Sequence, residues 1–425
     1  MDSLYQEADI ICKLKKKFSK IFKNETKPTK ERLIDLLMSV IELNNFQSIQ
    51  YNFDHSIRQF SHSKLKSYYY TLNESKVNID EWFLNMLKTT LSLIPETLIS
   101  QPIILSIDDT MIEKSGNHFE HCKRLFDHAA HNGSSYLKGH CFVSLLISIP
   151  TMVQDKIKYI SIPLGYRMWT PEETKLKIAS DLIKSAMTEI GSQRNVIVCC
   201  DSWYPKAEIV KLPEEYENLN LICNVRSDTA LYELPPEHNG KKGRPQIRGN
   251  KISLQDFSFQ QIEDTGYSAG KKTVMTNLFG KHPVFAIVTK STNGTMRLLL
   301  CTAPPETLNF DTNCNGMDKA LVYSEKDKNF LPITIYTFRW HIETAYYEQK
   351  KFWDMKDYML RSKRGIESLI NLLTILYSFM TLLPFLSSDF SFLANVSPQE
   401  ARFILGYYFQ KNLFFDLFLK ASKGD

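Results

Sequence analysis

The stretch PIILSIDDT, residues 102–110, is a continuous apolar run that ends on two carboxylates, Asp108 and Asp109. An apolar run of this length is typical of a strand that is buried on both faces of a sheet. The segment NVIVCCD, residues 195–201, repeats this pattern and ends on Asp201. Two buried strands that each end on an acid could bring those acids together at one edge of a sheet, although more than 90 residues separate them.

Three further segments have the composition of strands. They are GHCFVSLLISI (139–149), KYISIPLGY (158–166) and LNLICNV (219–225). A helix is predicted from Pro171, because Thr170 and Glu173 have the spacing of a capping box and proline is favoured at the first helical position. A short helix is predicted from about residue 204. The order strand, strand, strand, helix, strand, helix, strand predicts an α/β fold with a mixed sheet and helical layers.

The residue pattern divides the chain into five segments. Both ends of the chain show helical spacing and no strand pattern, and a central region of strands lies between them. Within the centre, strands and turns with a hairpin signal at Asn293-Gly294 predict a β-rich insertion. The predicted segments are a helical region at 1–98, the first part of the core at 99–225, the insertion at 226–330, the rest of the core at 331–390 and a helical tail at 391–425.

Two basic stretches could contact DNA. Residues 13–30 hold eight lysines against one acid, Glu25, and this helical region could bind DNA, but taken alone such a run is more typical of a solvated helix face. The second stretch, KKGRPQIRG, is punctuated by glycine and proline, and its Gly-Arg-Pro core resembles minor-groove hooks. Its basic residues are Lys241, Lys242, Arg244 and Arg248, and a solvated loop is the alternative there.

The segment YTFRWHIETAYYEQKK, residues 336–351, is predicted to be an amphipathic helix. At 100° per residue, its polar stripe lies within an arc of about 60°. The alternative is a solvated face with an ion pair between residues four apart. The stripe consists of Tyr336, Arg339, Glu343 and Lys350, and the opposite apolar face of Phe338, Ile342, Ala345 and Phe352.

Composition indicates a soluble globular protein of 425 residues, with 43% hydrophobic residues and a net charge of +5. The eight cysteines form no CxxC pair and the N-terminus lacks the apolar core of a signal peptide, so a cytoplasmic protein is expected. The apolar run 366–386 is interrupted by Glu367, Asn371 and Pro384 and is interpreted as a core helix, with a membrane span as the alternative. A nucleotide cofactor is not expected because no glycine-rich phosphate loop occurs.

Two strand-end aspartates and a helical glutamate supply the oxygen ligands that Mg²⁺ or Mn²⁺ prefers. Two such ions can activate an attacking oxygen and stabilise a leaving one in phosphoryl transfer. The alternative is structural, since strands often end in aspartate because this residue starts turns.

The spacing Tyr336-x2-Arg339-x3-Glu343-x6-Lys350 resembles the Y-R-E-K signature of DDE insertion-sequence transposases, and the acids of SIDDT and CCDSWYPK lie where that family has its first two catalytic aspartates. The resemblance covers roughly residues 100–385. It implies an α/β, RNase-H-like mixed-sheet core with helices on both faces, interrupted by a β-rich insertion, with helical N-terminal and C-terminal regions. It also implies cleavage of transposon ends and joining of the freed 3′-hydroxyl to target DNA.

The resemblance further implies roles for individual residues. Asp108, Asp201 and Glu343 would be catalytic residues that hold two Mg²⁺ or Mn²⁺ ions, and the family's Asp-x-Thr pattern selects Asp108, with Asp109 as the alternative. The remaining signature residues, Tyr336, Arg339 and Lys350, would hold DNA phosphates. The partners implied are double-stranded DNA, as terminal inverted repeats and target DNA, and a second copy in a homodimer on paired ends, without a membrane. The expected location is the cytoplasm, in association with the nucleoid.

Three alternatives accompany this interpretation. The stretch HFEHCKRLFDHAAH, residues 118–131, could hold zinc, although its spacing matches no standard zinc motif and a polar loop is favoured. The whole protein could instead be another RNase-H-like nuclease that cuts DNA without joining ends. It could also be a domesticated transposase that binds DNA without chemistry, which the presence of all the signature acids disfavours.

Overall fold

The computed structural model describes residues 2–126, 135–237, 246–262, 266–310 and 330–423, with side chains from residue 7 to residue 415 of these ranges. Twelve strands in these ranges form one sheet in the order β2-β3-β1-β5-β6-β12-β11-β10-β7-β8, in which β4 also pairs with β3 and β9 with β10. The strands are β1 Ile103–Glu113, β2 Lys123–Phe126, β3 Tyr136–Val153, β4 Lys156–Met168, β5 Val196–Cys200, β6 Leu219–Val225, β7 Leu231–Tyr232, β8 Lys251–Ile252, β9 Gln260–Gln261, β10 Ser268–Thr276, β11 Val284–Lys290 and β12 Met296–Cys301.

Five strands form the centre that positions the candidate site. β3 is antiparallel to both β1 and β4, whereas β1, β5 and β6 are parallel to one another. All five strands predicted from the apolar runs are confirmed. The result is a mixed α/β protein with a large mixed sheet, consistent with an RNase-H-like fold.

The strands of the predicted insertion continue this sheet. β12 pairs with β6 in antiparallel register from Leu298↔Val225 to Cys301↔Ile222, and β11 and β10 follow. The hairpin predicted at Asn293-Gly294 is confirmed, and Gly294 has a φ of 82°, a conformation that glycine adopts without steric cost. The strands of 268–301 are therefore part of the sheet that carries the predicted acids.

Helices cover both faces of the sheet and form the two ends of the chain. The α-helices are α1 Asp2–Ile21, α2 Lys27–Leu43, α3 Ile49–His55, α4 Leu65–Asn73, α5 Ile79–Leu91, α6 Lys175–Ile190, α7 Ala207–Val210, α8 Leu212–Glu215, α9 Leu331–Tyr336, α10 Trp340–Phe352, α11 Lys363–Leu386 and α12 Pro398–Lys423. α9 packs with the apolar side chains of one sheet face and α6 with those of the other. The short helix predicted from about residue 204 begins at Ala207.

The predicted start of α6 at Pro171 is wrong. α6 begins at Lys175, because the Thr174 hydroxyl accepts a hydrogen bond from the backbone N–H of Lys177 at 3.1 Å and caps the helix. Thr170 and Glu173 instead form a turn, in which the Glu173 N–H donates to the Thr170 carbonyl at 3.2 Å.

Residues 2–98 contain helices and turns only, as predicted. These helices share one apolar core with α11 and α12, so they do not form a separate core. α2 and α12 approach closely at Gly406, where an added Cβ would lie 2.3 Å from the Ile41 carbonyl oxygen. The segment boundaries predicted from the sequence remain predictions.

Some lysines of the basic stretch at 13–30 contact other parts of the protein, and others are exposed to solvent. Lys13 pairs with Asp389 at 2.7 Å, and the Lys17 ammonium donates to the Leu386 carbonyl at 3.0 Å. The Lys15 ammonium lies 5.0 Å from the centre of the Phe409 ring. Lys16, Lys20, Lys23 and Lys27 are exposed. Only part of the run is therefore presented as an open basic face.

α11 is long and apolar enough to cross a membrane by length and composition, and 78% of its apolar window is buried inside the protein. Its polar side chains serve the sheet: the Asn371 amide exchanges two hydrogen bonds of 2.9 Å with the backbone of Tyr166, and Glu367 accepts one of 2.7 Å from the Met168 N–H. These contacts support the prediction of a core helix.

Candidate active site

The end of β1 sends its two aspartates to opposite faces of the sheet. Alternate side chains of a strand point to opposite faces. Ser106, on one face, donates to the Phe338 carbonyl at 3.4 Å, and Asp108 on the same face pairs with Arg339. Asp109 points to the other face and pairs with Lys175 of α6 at 2.7 Å. Asp108 therefore faces the segment that carries the predicted signature, and Asp109 does not.

Asp201 lies beside Asp108. The parallel register of β1 and β5 pairs Ile107 with Cys200, so Asp108 and Asp201 are the next residues on adjacent strands, which lie about 4.8 Å apart. One oxygen of Asp201 accepts a hydrogen bond of 3.0 Å from the Trp203 N–H, which starts the turn after β5. The sheet thus brings together the two acids that the sequence pattern singled out.

Arg339 joins this pair to Glu343. Its guanidinium Nη1 lies 3.2 Å from Asp108 Oδ2, and its Nη2 pairs with Glu343 Oε1. Arg339 is 8% exposed, whereas the side chain of Glu343 is 37% exposed. The predicted pair between residues four apart is therefore present, but it is half of a bridge that extends to the sheet and is not a solvated face.

Burial and the neighbouring charge of Asp201 raise the pKa of Asp108 from 3.8 to about 7, while Arg339 acts in the opposite direction. The other Asp108 oxygen, Oδ1, accepts a hydrogen bond of 2.8 Å from the Asp109 N–H. The ionised carboxylate of Asp108 is thus less favourable in the folded protein than in the unfolded chain. Carboxylates with such raised pKa values concentrate at functional sites.

The two ends of the predicted polar stripe are partly covered. The prediction of a single helix over 336–351 is corrected, because residues 337–339 form a 3₁₀ turn between α9, which ends at Tyr336, and α10, which begins at Trp340. The Tyr336 ring centre lies 5.9 Å from the Arg339 guanidinium, and burial raises the pKa of the Tyr336 phenol. The Lys350 ammonium donates to the Met111 carbonyl of β1 at 2.8 Å. Tyr336 therefore lies beside Arg339, and Lys350 lies against the end of β1.

The opposite face of this segment is buried, with one exception. Phe338, Ile342 and Ala345 are buried as predicted, but the prediction for Phe352 is wrong, because this side chain is 39% exposed at the end of α10. Buried polar contacts also fix α10: the Tyr346 hydroxyl lies 2.8 Å from that of Ser144. Gln349 contributes further hydrogen bonds, to the Tyr166 hydroxyl at 2.7 Å and from the Thr374 hydroxyl at 3.0 Å.

Sequence reasoning missed the set of residues that holds Asp109. Besides the Lys175 ion pair, its carboxylate accepts hydrogen bonds from the Tyr204 hydroxyl at 3.0 Å and from the Cys141 thiol at 3.2 Å. The Asp109 and Lys175 side chains are only 15% and 19% exposed. No short sequence pattern indicates these partners, because Cys141, Tyr204 and Lys175 lie in three separate segments of the chain.

Two exposed tryptophans next to the signature residues were also missed. Trp203 follows Asp201 by two positions and is 38% exposed, with the Lys206 ammonium 4.2 Å from its ring centre. Trp340 follows Arg339 and is 53% exposed. A tryptophan within two residues of a strand-end acid or of a signature arginine is the signal that could have found them.

The predicted DNA-binding loop is described only in part. Lys241, Lys242 and Arg244 lie outside the described residues. Arg248 hydrogen-bonds to the Asn277 side chain, and its guanidinium lies 4.1 Å from the centre of the Tyr232 ring. These contacts are at the β7–β8 end of the strand order, remote in that order from β1.

No three His, Cys, Asp or Glu side chains in the described ranges lie close enough together to hold one metal ion. The zinc alternative falls partly outside these ranges, since His128 and His131 are not described. For Mg²⁺ or Mn²⁺, the chemistry of the donor set fits: Asp108 and Asp201 are adjacent carboxylates whose mutual repulsion a divalent cation would relieve. The third predicted ligand, Glu343, is engaged by Arg339.

The family described as DDE superfamily endonuclease matches residues 61–266. The matched range contains Asp108 and Asp201 and ends before Tyr336, so it does not bear on the Y-R-E-K spacing. No curated protein matches the chain. The family match supports a DDE transposase-type family, and with it nuclease or polynucleotidyl transferase chemistry on DNA that generally uses divalent metal ions.

Proposed function

We propose that this protein is a DDE transposase that binds the ends of its own mobile element, cuts them and joins them to target DNA. The observation that carries the proposal is the adjacency of Asp108 and Asp201 on parallel strands, with Arg339 connecting Asp108 to Glu343 on α10. The family match over residues 61–266 supports the same class of chemistry. The proposed partners are double-stranded DNA and a second copy of the chain, and the proposed location is the cytoplasm.

In this proposal Asp108, Asp201 and Glu343 hold the divalent ions. Bound Mg²⁺ or Mn²⁺ would activate the attacking oxygen and stabilise the leaving oxygen of phosphoryl transfer. Tyr336, Arg339 and Lys350 hold the phosphates of the cut strand: Tyr336 lies beside Arg339, which contacts Asp108, and Lys350 lies against the end of β1. A guanidinium suits this task through its paired donors and an ammonium through its compact charge.

The test is strand cleavage with Mg²⁺ or Mn²⁺ on duplex DNA taken from the borders of the protein's own gene. Glu343→Gln should abolish nicking and spare DNA binding, since it removes a metal ligand and little surface charge. Glu348→Gln is the matched control, because Glu348 lies on the same helix but accepts a hydrogen bond of 2.7 Å from the Tyr377 hydroxyl. The control should cut like the unmodified protein.

The outcomes separate the alternatives. Nicking at a defined border followed by strand transfer supports a transposase. Structure-selective nicking without end joining would favour another nuclease, and tight DNA binding without cleavage under either metal would favour a DNA-binding relic. Loss of DNA binding in Glu343→Gln would count against the role given to Glu343.

A further inference from the structure

The guanidinium of Arg339 occupies the space between two of the predicted metal ligands. It pairs with Asp108 at 3.2 Å and with Glu343, and the side chain is almost completely buried. Its third nitrogen, Nε, is buried and makes no hydrogen bond within the part of the chain that the structure describes. In this arrangement Arg339 neutralises the acids and, being only 8% exposed, offers little of its guanidinium to a DNA phosphate.

This arrangement also engages both oxygens of Asp108. Oδ2 pairs with Arg339, and Oδ1 accepts the Asp109 N–H at 2.8 Å. A divalent cation that bound Asp108 together with Glu343 would have to lie between these two carboxylates, where the guanidinium now lies. Two cationic groups of this size cannot share one gap between carboxylates, because their repulsion is strong in a buried site. Binding of the metal therefore requires that Arg339 move.

There is room for that movement beside the site. A groove of about 450 Å³ runs along Tyr336, Thr337 and Trp340 and is also lined by Arg297. The Trp340 ring centre lies only 5.4 Å from the Arg339 guanidinium, so a displaced side chain could lie along this exposed ring. Arg297, which lines this groove, is a second guanidinium for a phosphate bound there.

We propose that Arg339 is the internal counter-ion of the acid site, which a divalent cation displaces, so that metal binding releases the guanidinium for a DNA phosphate. The inference rests on the proposed function, because it takes Asp108 and Glu343 as metal ligands. It deepens that function by making metal binding and DNA binding mutually favourable. By linkage, DNA that captures the released guanidinium would also tighten the binding of the metal.

The test measures Mn²⁺ binding without DNA, by electron paramagnetic resonance of the free ion, in the unmodified protein and in Arg339→Gln. The variant should bind Mn²⁺ at least about tenfold more tightly, since the metal no longer has to break charge-assisted hydrogen bonds to two carboxylates. Arg58→Gln is the matched control, because Arg58 makes an exposed pair with Asp54. It should leave Mn²⁺ affinity unchanged. Equal or weaker Mn²⁺ binding by Arg339→Gln would overturn the proposal.

Two further variants keep the test decisive. If Arg339→Gln does not fold without metal, Arg339→Lys replaces it. An ammonium is a compact charge without the planar pair of Nη donors that reach Asp108 and Glu343 together, so this variant should also bind Mn²⁺ more tightly. Asp201→Asn separates the two proposals. If it leaves Mn²⁺ binding intact, the metal site of the proposed function is wrong. If Asp201→Asn abolishes binding while both Arg339 variants bind no more tightly than the unmodified protein, only the counter-ion role fails.

Discussion

Replacing Asp108 by asparagine should stabilise the metal-free protein. The pKa of Asp108 rises from 3.8 to about 7 in the folded state, chiefly through burial and then through the charge of Asp201. A rise of about 3 pH units, at about 1.36 kcal/mol for each, makes the ionised carboxylate cost about 4 kcal/mol at pH 8. Water that enters the site lowers this cost, so we expect Asp108→Asn to raise the free energy of unfolding by about 1–3 kcal/mol.

The same reasoning fixes the pH dependence. Because the folded pKa of Asp108 lies above the unfolded value, the folded protein keeps a proton that the unfolded chain releases between about pH 4 and pH 7. The stabilisation from this proton is fully present below about pH 4 and is lost as the pH rises through about 7. The advantage of Asp108→Asn should therefore be largest at pH 8 and should shrink steadily towards pH 4.

The assay is urea unfolding in EDTA at several pH values, with Asp109→Asn as the matched control. Asp109 pairs with the largely buried Lys175, so its loss should destabilise the protein by about 2–3 kcal/mol. Saturating Mn²⁺ should then stabilise the unmodified protein and not Asp108→Asn. A variant that is less stable than the unmodified protein at pH 8, or two parallel pH curves, would refute the reasoning.

Two further predictions concern the packing of α12 and α10. Gly406→Ala should lower the free energy of unfolding by about 1–3 kcal/mol, because the new Cβ would lie 2.3 Å from the Ile41 carbonyl oxygen and would push α12 from α2; thermal unfolding measures this, and an unchanged melting temperature would contradict the close approach. Tyr346→Phe should cost about 1 kcal/mol, because it removes the hydrogen bond of 2.8 Å between the buried hydroxyls of Tyr346 and Ser144; urea unfolding measures the loss, and DNA binding should not change.

The strands of the centre could be predicted because each is a continuous apolar run with a clear end. The order and register in which these strands pair could not be predicted, because they depend on contacts between segments far apart in the sequence. The continuation of the sheet from β6 into β12 illustrates this limit: Val225 pairs with Leu298, and nothing in either segment identifies the other. The start of α6 was predicted wrongly because Thr170 and Thr174 both have a hydroxyl that can cap a helix. The sequence alone does not choose between them.

The acids of the candidate site could be predicted from the sequence, but the side chains that contact them could not. The pair of Arg339 with Glu343 was predictable because it depends only on helical spacing, whereas the 3₁₀ turn at 337–339 was not predicted. The bridge from Arg339 to Asp108 was not, because 231 residues separate the two side chains. Likewise the predicted apolar face failed only at Phe352, where the helix ends and the neighbouring surface no longer covers it.

The two aspartates of β1 show how one strand end can carry both a costly group and its support. Asp108 is a buried acid beside Asp201, so the strand end would be unfavourable by itself. Asp109, one residue on and facing the other side, contributes an ion pair to Lys175 and accepts a hydrogen bond from Tyr204. Because side chains alternate, the supporting contacts lie away from the face where a metal and DNA would bind. The contacts that stabilise this strand end are therefore on the face opposite to the repelling carboxylates. Asp108 lowers the free energy of unfolding of the metal-free protein, and Asp109 raises it.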